Sequence, residues 1–178
     1  LKVSAGLGVI PRVVADQTPI YKHRLSIDDA TERLQGFYFP YHDKLKSLIK
    51  QTEASFKKVI LLDCHSMPLS SVNLASKKDP VEVVLGDCFG RSCEHEIVVE
   101  LKTLLTEFGF KVSLNNPFSG GFITKNYASP PNNIHAVQIE ILRSLYSHEK
   151  QQIKNREFAK IQRRLIGVIE EFIKRFSD

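Results

Sequence analysis

A polar cluster directly follows the apolar run Val59–Leu62, which is typical of a short buried strand. In α/β sheets the carboxyl ends of the strands open onto the ligand crevice, so Asp63, His65 and Ser66 are placed for chemistry. His65 is the leading candidate metal ligand, since a neutral imidazole binds zinc and a carboxylate such as Asp63 can fix its tautomer. The alternative is a hydrogen-bonded structural histidine. Ser66 is discounted as a nucleophile because it lies next to His65 and no G-x-S-x-G turn surrounds it.

A second candidate strand runs from Ile134 to Leu142 and ends close to a charge pair. Its alternation predicts that Gln138 and Glu140 lie on one face and His135 on the other. Glu140 is a candidate for proton transfer, and the planar fork of Arg143 suits a substrate carboxylate. A solvated charge at the strand end, or a simple ion pair of Arg143 with Glu140 or Glu149, would produce the same pattern.

A glycine-containing loop supplies the third group of candidates, from Asn115 to Gly121. Backbone N–H groups at Gly120 and Gly121 can approach an oxygen closely because glycine has no side chain. An ordinary turn would need the same glycines. Asp87, after another apolar run, is either an orienting partner for the site or a helix cap.

Together these segments resemble the N-formylglutamate amidohydrolase family. The resemblance extends over almost the whole chain and rests on six motifs in the family's order. These are Gly6-Leu7-Gly8-Val9-Ile10-Pro11-Arg12, Pro40-Tyr41-His42, Asp63-Cys64-His65-Ser66, Leu85-Gly86-Asp87, the Asn115 to Gly121 loop, and Gln138-Ile139-Glu140 with Arg143-Ser144-Leu145-Tyr146.

The resemblance implies a zinc-dependent (or other divalent metal) hydrolase of N-formyl-L-glutamate, which would release formate and L-glutamate in histidine breakdown. The implied fold is α/β, a three-layer sandwich with a mostly parallel sheet of the phosphorylase/hydrolase-like, zinc-exopeptidase-like kind. His65 would be a metal ligand, Glu140 the catalytic acid and base, and Arg143 a contact to a substrate carboxylate. Further expected substrate contacts are Asn115, Gly120, Gly121 and His135.

The sequence also departs from the family's pattern. Phe118 replaces a usual tyrosine, Leu142 a usual asparagine, and Ser147-His148 a usual Met-Asp pair. The family's Pro-His-Ser-Gly type motif has no match, so we expect an N-terminally truncated fragment that lacks its first strand, with two metal ligands outside it. A non-catalytic small-molecule binding domain on the same fold, or a hydrolase of another N-acyl amino acid, is therefore the alternative.

Composition fits a single domain over residues 1–178, with a small-molecule substrate as its expected partner. The chain has no apolar run of membrane-spanning length, so we expect a cytoplasmic protein without a membrane partner. The net charge of +5 comes largely from the last segment, where apolar residues recur at helical spacing. Its basic residues are thus interpreted as a solvated helix face, with no nucleic-acid partner. The three cysteines lack paired spacing and predict reduced thiols, although a zinc site using Cys88 and Cys93 is conceivable.

Strands at Val59–Leu62, Val81–Leu85, Phe110–Leu114 and Ile134–Leu142 alternate with helices in this prediction. The helices are expected from Ser26 to Phe37, from Tyr41 to about Phe56, from Glu94 to Phe108 and at the end of the chain, with Pro40 breaking or restarting the first. The sequence does not predict the oligomeric state.

Overall fold

The computed structural model describes residues 6, 8–14, 17–72 and 81–176. The chain forms two compact units, Leu1–Gln51 and Thr52–Asp178. The element bounds are α1 Ile27–Arg33, a π-helical turn Leu34–Tyr38, α2 Phe39–Phe56, β1 Val59–Met67, β2 Val83–Gly86, α3 His95–Glu107, β3 Val112–Leu114, α4 Phe122–Tyr127, β4 Ile134–Leu142, β5 Ser147–His148, β6 Ile153–Lys154 and α5 Phe158–Arg175.

The first unit is built around the helices α1 and α2. Ser26 caps α1, because its hydroxyl accepts from the Asp29 N–H while the Asp29 carboxylate accepts from the Ser26 N–H. Of the two expectations for Pro40, the break was wrong, because the chain stays helical from the π-helical turn into α2, whose first residue is Phe39. Proline lacks an N–H and its ring crowds the carbonyl four residues earlier. The wider π-helical turn directly before α2 covers the residues where this conflict falls.

The second unit contains a four-stranded sheet in the order β1-β4-β2-β3. β1 and β4 are parallel, β2 and β3 are parallel, and β2 runs antiparallel to β4. The prediction of an α/β fold with a mostly parallel sheet is confirmed, since two of the three strand pairs are parallel. The bounds of β4 are those predicted, whereas β1 extends through Met67 rather than ending at Leu62. His65 therefore lies within the strand and not beyond it, because Asp63–Met67 pair in register with the end of β4.

One face of this sheet carries the main hydrophobic core. Val83 and Leu85 of β2 and Val137 and Ile139 of β4 pack there against α3 and α5. The buried helix residues of this cluster are Ile97, Val98, Leu101, Leu104, Leu105, Ile161, Val168 and Phe172. The predicted amphipathic character of the last helix is thus confirmed, and Gly109, at φ +83°, follows the end of α3 as expected.

The opposite face is covered in part by the short helix α4, which contacts β1 and β4. A small apolar cluster, Met67, Val72, Val84 and Leu142, is buried on this side. Leu142, at a position where the resembled family has asparagine, is a buried member of that cluster. The polar residues of the candidate site lie on this same face, in the carboxyl-terminal parts of β1 and β4.

Candidate functional site

Four polar residues, called the polar row below, lie side by side on the face of the sheet that α4 covers in part. They are Asp63 and His65 of β1 and Gln138 and Glu140 of β4. Asp63 pairs in register with Gln138, and His65 with Glu140. The two members on each strand are two positions apart, with one residue between them, so alternation directs all four side chains to the same face. They occupy the carboxyl-terminal halves of two parallel strands, the position expected for a ligand crevice in an α/β sheet.

His65 is held by its own strand. Its Nε2 lies 2.9 Å from Asp63 Oδ1, so the predicted contact between these two side chains is present. The buried Thr124 of α4 donates from Oγ1 to Asp63 Oδ2 at 3.4 Å. The imidazole is 47% exposed while the carboxylate is 12% exposed, so the ring stands at the open side of the group with its partner behind it.

Glu140 is the buried carboxylate of the group, with 7% of its surface exposed. Burial raises the pKa of Glu140 above its ordinary value, and Asp63 adds to the rise. His65, a hydrogen bond from Gln138 and the charge of Arg143 lower that pKa without cancelling the effect of burial. A carboxylate with increased proton affinity beside cationic or polar neighbours is suited to taking up and returning a proton.

Arg143 begins the short 3-10 turn that follows β4. It pairs neither with Glu140 nor with Glu149, the two partners considered from the sequence. Its Nε donates to Ser66 Oγ at 3.2 Å and its Nη2 to the Ser66 carbonyl at 3.1 Å. The Glu149 carboxylate instead accepts from the Leu69 N–H at 3.0 Å. Ser66 therefore orients the guanidinium at the end of the polar row.

The glycine loop lies against the end of β2, beside the polar row. A Cβ built on Gly86 would lie 2.6 Å from the Gly120 nitrogen, so only glycine permits this approach. Gly120 has φ +123°, and a Cβ there would lie 2.7 Å from Cys88 Sγ. Gly121 is next to the group as well, since its Cβ would lie 3.1 Å from Gln138 Oε1. Gly120 and Gly121 are thus brought to the polar face.

Asn115 is committed to the loop's own structure. Its Nδ2 donates to Asp87 Oδ1 at 2.7 Å, and its Oδ1 accepts from the Asp87 N–H at 3.1 Å. Asp87 is buried and orients Asn115. It does not cap α3, because that helix begins only after Glu94. Asn115 holds the base of the loop through contacts that involve both ends of its amide.

His135 is not brought to the group. It is fully buried near the start of α3, on the other face of the sheet, where the Glu94 N–H donates to its Nδ1 at 3.4 Å. Burial lowers the pKa of His135, Lys58 adds to the decrease and Glu94 opposes it. Its environment is that of a neutral core histidine.

The described residues contain no group of three His, Cys, Asp or Glu side chains that could hold a metal ion. A catalytic zinc site needs three protein ligands and an open position. His65 is one suitable ligand, but its Nε2 is hydrogen-bonded to Asp63 and no third ligand joins the pair within the described part of the chain. These residues alone do not fit a catalytic zinc ion.

Cys88 and Cys93 are buried, free thiols. Burial raises the pKa of Cys93 to about 12, with Asp87 and Glu94 adding to the rise. Zinc binds the thiolate, so this environment disfavours the cysteine site considered from the sequence. Across residues 6, 8–14, 17–72 and 81–176, no helix is long and apolar enough to cross a bilayer.

The first unit brings together two of the stretches on which the resemblance rests. Val9, Ile10 and Pro11 line a cleft of ≈ 950 Å³ together with Tyr41 and His42. Tyr38 contacts His42 edge-on, with ring centroids 4.3 Å apart. The spacing of these stretches in the sequence did not indicate that they share a cleft.

Sequence reasoning gave Gln138 no role, although it is one of the four residues of the polar row. It is 5% exposed, and its Nε2 donates to Glu140 Oε1 at 2.7 Å. The signal that would have found it is its spacing of two residues from Glu140 on one strand, which places both on the same face.

Comparison with known proteins places these residues in a family. The chain is 31% identical over 160 residues to the N-formylglutamate deformylase of Pseudomonas putida and 28% identical over 150 residues to that of Pseudomonas aeruginosa. These matches cover 88% and 83% of this chain but 60% and 56% of the relatives. The chain thus spans somewhat over half the length of the curated relatives it matches.

Solved structures give the same picture. The crystal structure of N-formylglutamate amidohydrolase from Ralstonia eutropha JMP134 matches with a TM-score of 0.87 and 32% identity, over 98% of this chain and 64% of that one. A gene product of Agrobacterium tumefaciens matches with a TM-score of 0.66 and 20% identity, over 93% and 61% of the two chains, which shows the shared fold alone. The model of the N-formylglutamate amidohydrolase family matches residues 1–147, and the chain belongs to this family.

Proposed function

We propose that this protein hydrolyses the amide of N-formyl-L-glutamate to formate and L-glutamate, a reaction that would serve histidine breakdown. The observation that carries the proposal is the buried Glu140 carboxylate, flanked by His65, Gln138 and Arg143 in a member of this family. The relatives named N-formylglutamate deformylase support the choice of substrate. For the fold as a whole, we propose the three-layer, zinc-exopeptidase-like arrangement.

In the proposed reaction, a water molecule adds to the formyl carbon and the C–N bond breaks. Glu140, as the carboxylate, takes the proton that the water loses and returns it to the leaving nitrogen. Burial supports this role because it raises the pKa of Glu140 and thus strengthens the base. Formate and the free amine are the products, and the Glu140 carboxylate is regenerated.

Arg143 would bind one of the two substrate carboxylates. Ser66 holds its Nε and Nη2 groups, which fixes the plane of the guanidinium. The remaining N–H groups of the fork are suited to a carboxylate. The backbone at Gly120 and Gly121 would contribute N–H donors to an oxygen of the substrate.

The proposal includes a divalent metal, with zinc as the leading choice. Such a metal would need protein ligands besides the residues of the polar row. His65 would supply one ligand, with Asp63 setting its orientation. Metal analysis of the purified protein tests this point. Stoichiometric zinc in the wild type and its loss in His65→Ala would support it, whereas a metal-free, active protein would contradict it.

The second candidate is a non-catalytic domain that binds an N-acyl amino acid. It is favoured by the absence of a three-ligand metal group among the described side chains. Formate release from N-formyl-L-glutamate, measured with added zinc and after treatment with a chelator, separates the two functions. Release in either condition supports the hydrolase, while calorimetric binding without release supports the binding domain.

N-formyl-D-glutamate and N-acetyl-L-glutamate are matched controls for the substrate. Faster release from N-formyl-L-glutamate than from either control would support the proposed specificity. Equal or faster hydrolysis of the acetyl compound would point to another N-acyl amino acid as the substrate.

A further inference from the structure

Gln138 is a buried amide whose two ends have different surroundings. Its Nε2 donates to Glu140 Oε1 at 2.7 Å. Its Oε1 is buried and accepts no hydrogen bond from any of the residues that the structure describes. A buried carbonyl oxygen without a donor is unfavourable, so it calls for a physical explanation.

The orientation of this amide is fixed by Glu140. Reversal would place the carbonyl oxygen of Gln138 against a carboxylate oxygen, and two acceptors repel each other. As long as Glu140 is ionised, Gln138 Oε1 must therefore point away from it. The unpaired oxygen is a consequence of the hydrogen bond that supports the base.

Gly121 lies directly beside this oxygen. A Cβ at this position would lie 3.1 Å from Gln138 Oε1, which is tighter than ordinary contact. The backbone of Gly121 has φ −91°, which any residue adopts, so its own conformation does not require glycine. A side chain at position 121 would therefore crowd the oxygen.

The proposed substrate has one donor that matches. With both carboxylates ionised, N-formyl-L-glutamate carries a single hydrogen-bond donor, the N–H of its scissile amide. Glu140 must reach the same nitrogen to return the proton, and Gln138 is hydrogen-bonded to Glu140. The N–H is therefore the substrate donor that comes nearest to Gln138 Oε1.

We propose that Gln138 Oε1 accepts the N–H of the scissile amide, which makes Gln138 a specificity-determining residue. It would favour secondary amides over esters of the same shape, because an ester oxygen offers no donor. Gln138 would bind the reacting nitrogen with one end of its amide and support Glu140 with the other. This inference rests on the proposed function.

The test compares N-formyl-L-glutamate with its ester analogue, the formate ester of L-2-hydroxyglutarate. The ratio of kcat/KM for the amide to that for the ester is measured in the wild type and in Gln138→Met. Intrinsic reactivity cancels when the two ratios are compared. We expect the ratio to fall about tenfold in the variant, the usual effect of one hydrogen bond to an otherwise unpaired acceptor.

Gly121→Ala provides a second variant in case Gln138→Met does not fold. It crowds Gln138 Oε1 but leaves the Gln138 to Glu140 hydrogen bond in place, so it should also reduce the amide-to-ester ratio. Ser66→Ala is the matched control, since it weakens the support of Arg143 without touching Gln138. It should lower kcat/KM for both compounds equally and keep the ratio.

The outcomes separate this inference from the proposed function. Turnover with the same ratio in the wild type and in a folded Gln138 or Gly121 variant overturns the role of Gln138 and leaves the hydrolase intact. If the wild type does not turn over the amide, calorimetry replaces kinetics. Tighter binding of the amide than the ester, lost in Gln138→Met, then supports Gln138 while the hydrolase fails, and no binding overturns both.

Discussion

The two faces of β4 differ in what they contact, although their residues alternate along one strand. Val137 and Ile139 are buried against α3 and α5, in the main core. Gln138 and Glu140 are almost as buried, but their environment consists of His65, Arg143 and one another. Burial on one face stabilises the fold, whereas burial on the other raises the proton affinity of a carboxylate. The comparison shows that exposure alone does not separate core from site.

Leu101→Ala tests the core face. Leu101 is fully buried in α3, so its truncation should lower the free energy of unfolding by about 2–5 kcal/mol. Activity per folded molecule should stay unchanged because Leu101 does not touch the polar row. Urea unfolding and activity at matched folded concentration measure both quantities. Val99→Ala, at a position 43% exposed, is the control and should cost much less stability.

Gly86→Ala tests the close contact between the end of β2 and the glycine loop at Gly120. The added Cβ would lie 2.6 Å from the Gly120 nitrogen, so the loop must shift, at a cost of about 1–3 kcal/mol. Unlike Leu101→Ala, this change should reduce both stability and kcat/KM. Gly36→Ala is the matched control, since nothing lies within 4 Å of its Cβ. An unchanged kcat/KM in Gly86→Ala would argue against a role for the loop.

Arg143→Gln tests the electrostatics of the polar face. Arg143 lowers the pKa of Glu140, so its neutralisation should raise that pKa further. Glu140 must be ionised to accept a proton, and the acid limb of the rate profile should therefore move to higher pH. Arg143→Lys keeps the charge and should keep the limb in place. An acid limb that is identical in all three proteins would mean that another group titrates.

His135→Gln tests the core face of β4 through the pH dependence of stability. Its expected effect is the smallest of these substitutions. The pKa of His135 is lowered in the folded state by burial, so the unfolded state binds more protons below the ordinary histidine pKa. Stability should be fully present above about pH 6.5 and should fall as the pH decreases, by at most about 1.4 kcal/mol per pH unit for one proton. Urea unfolding from pH 7.5 to 5.5 should show a flatter profile for His135→Gln. Equal slopes would contradict the assignment.

The alternation of β4 could be read from the sequence, and it correctly separated His135 from Glu140. The end of β1 could not be predicted from the sequence, because residues 63–66 resemble a loop until their pairing with β4 is known. Side-chain contacts between different segments could not be predicted either, and the hydrogen bonds from Arg143 to Ser66 are an example. The contacts of Asn115 with Asp87 could not be predicted either, because they depend on a turn whose geometry a residue pattern does not specify. The contact of Asn115 with a substrate stays a prediction.

In the proposed function, Glu140 acts on the substrate at the polar face. This role is tested most directly by formate release from N-formyl-L-glutamate, with the wild type and Glu140→Gln compared at equal folded concentration. We predict release by the wild type and a loss of at least about 100-fold in the variant, with no decrease in the free energy of unfolding. Equal rates for the two folded proteins would show that Glu140 does not act on the substrate.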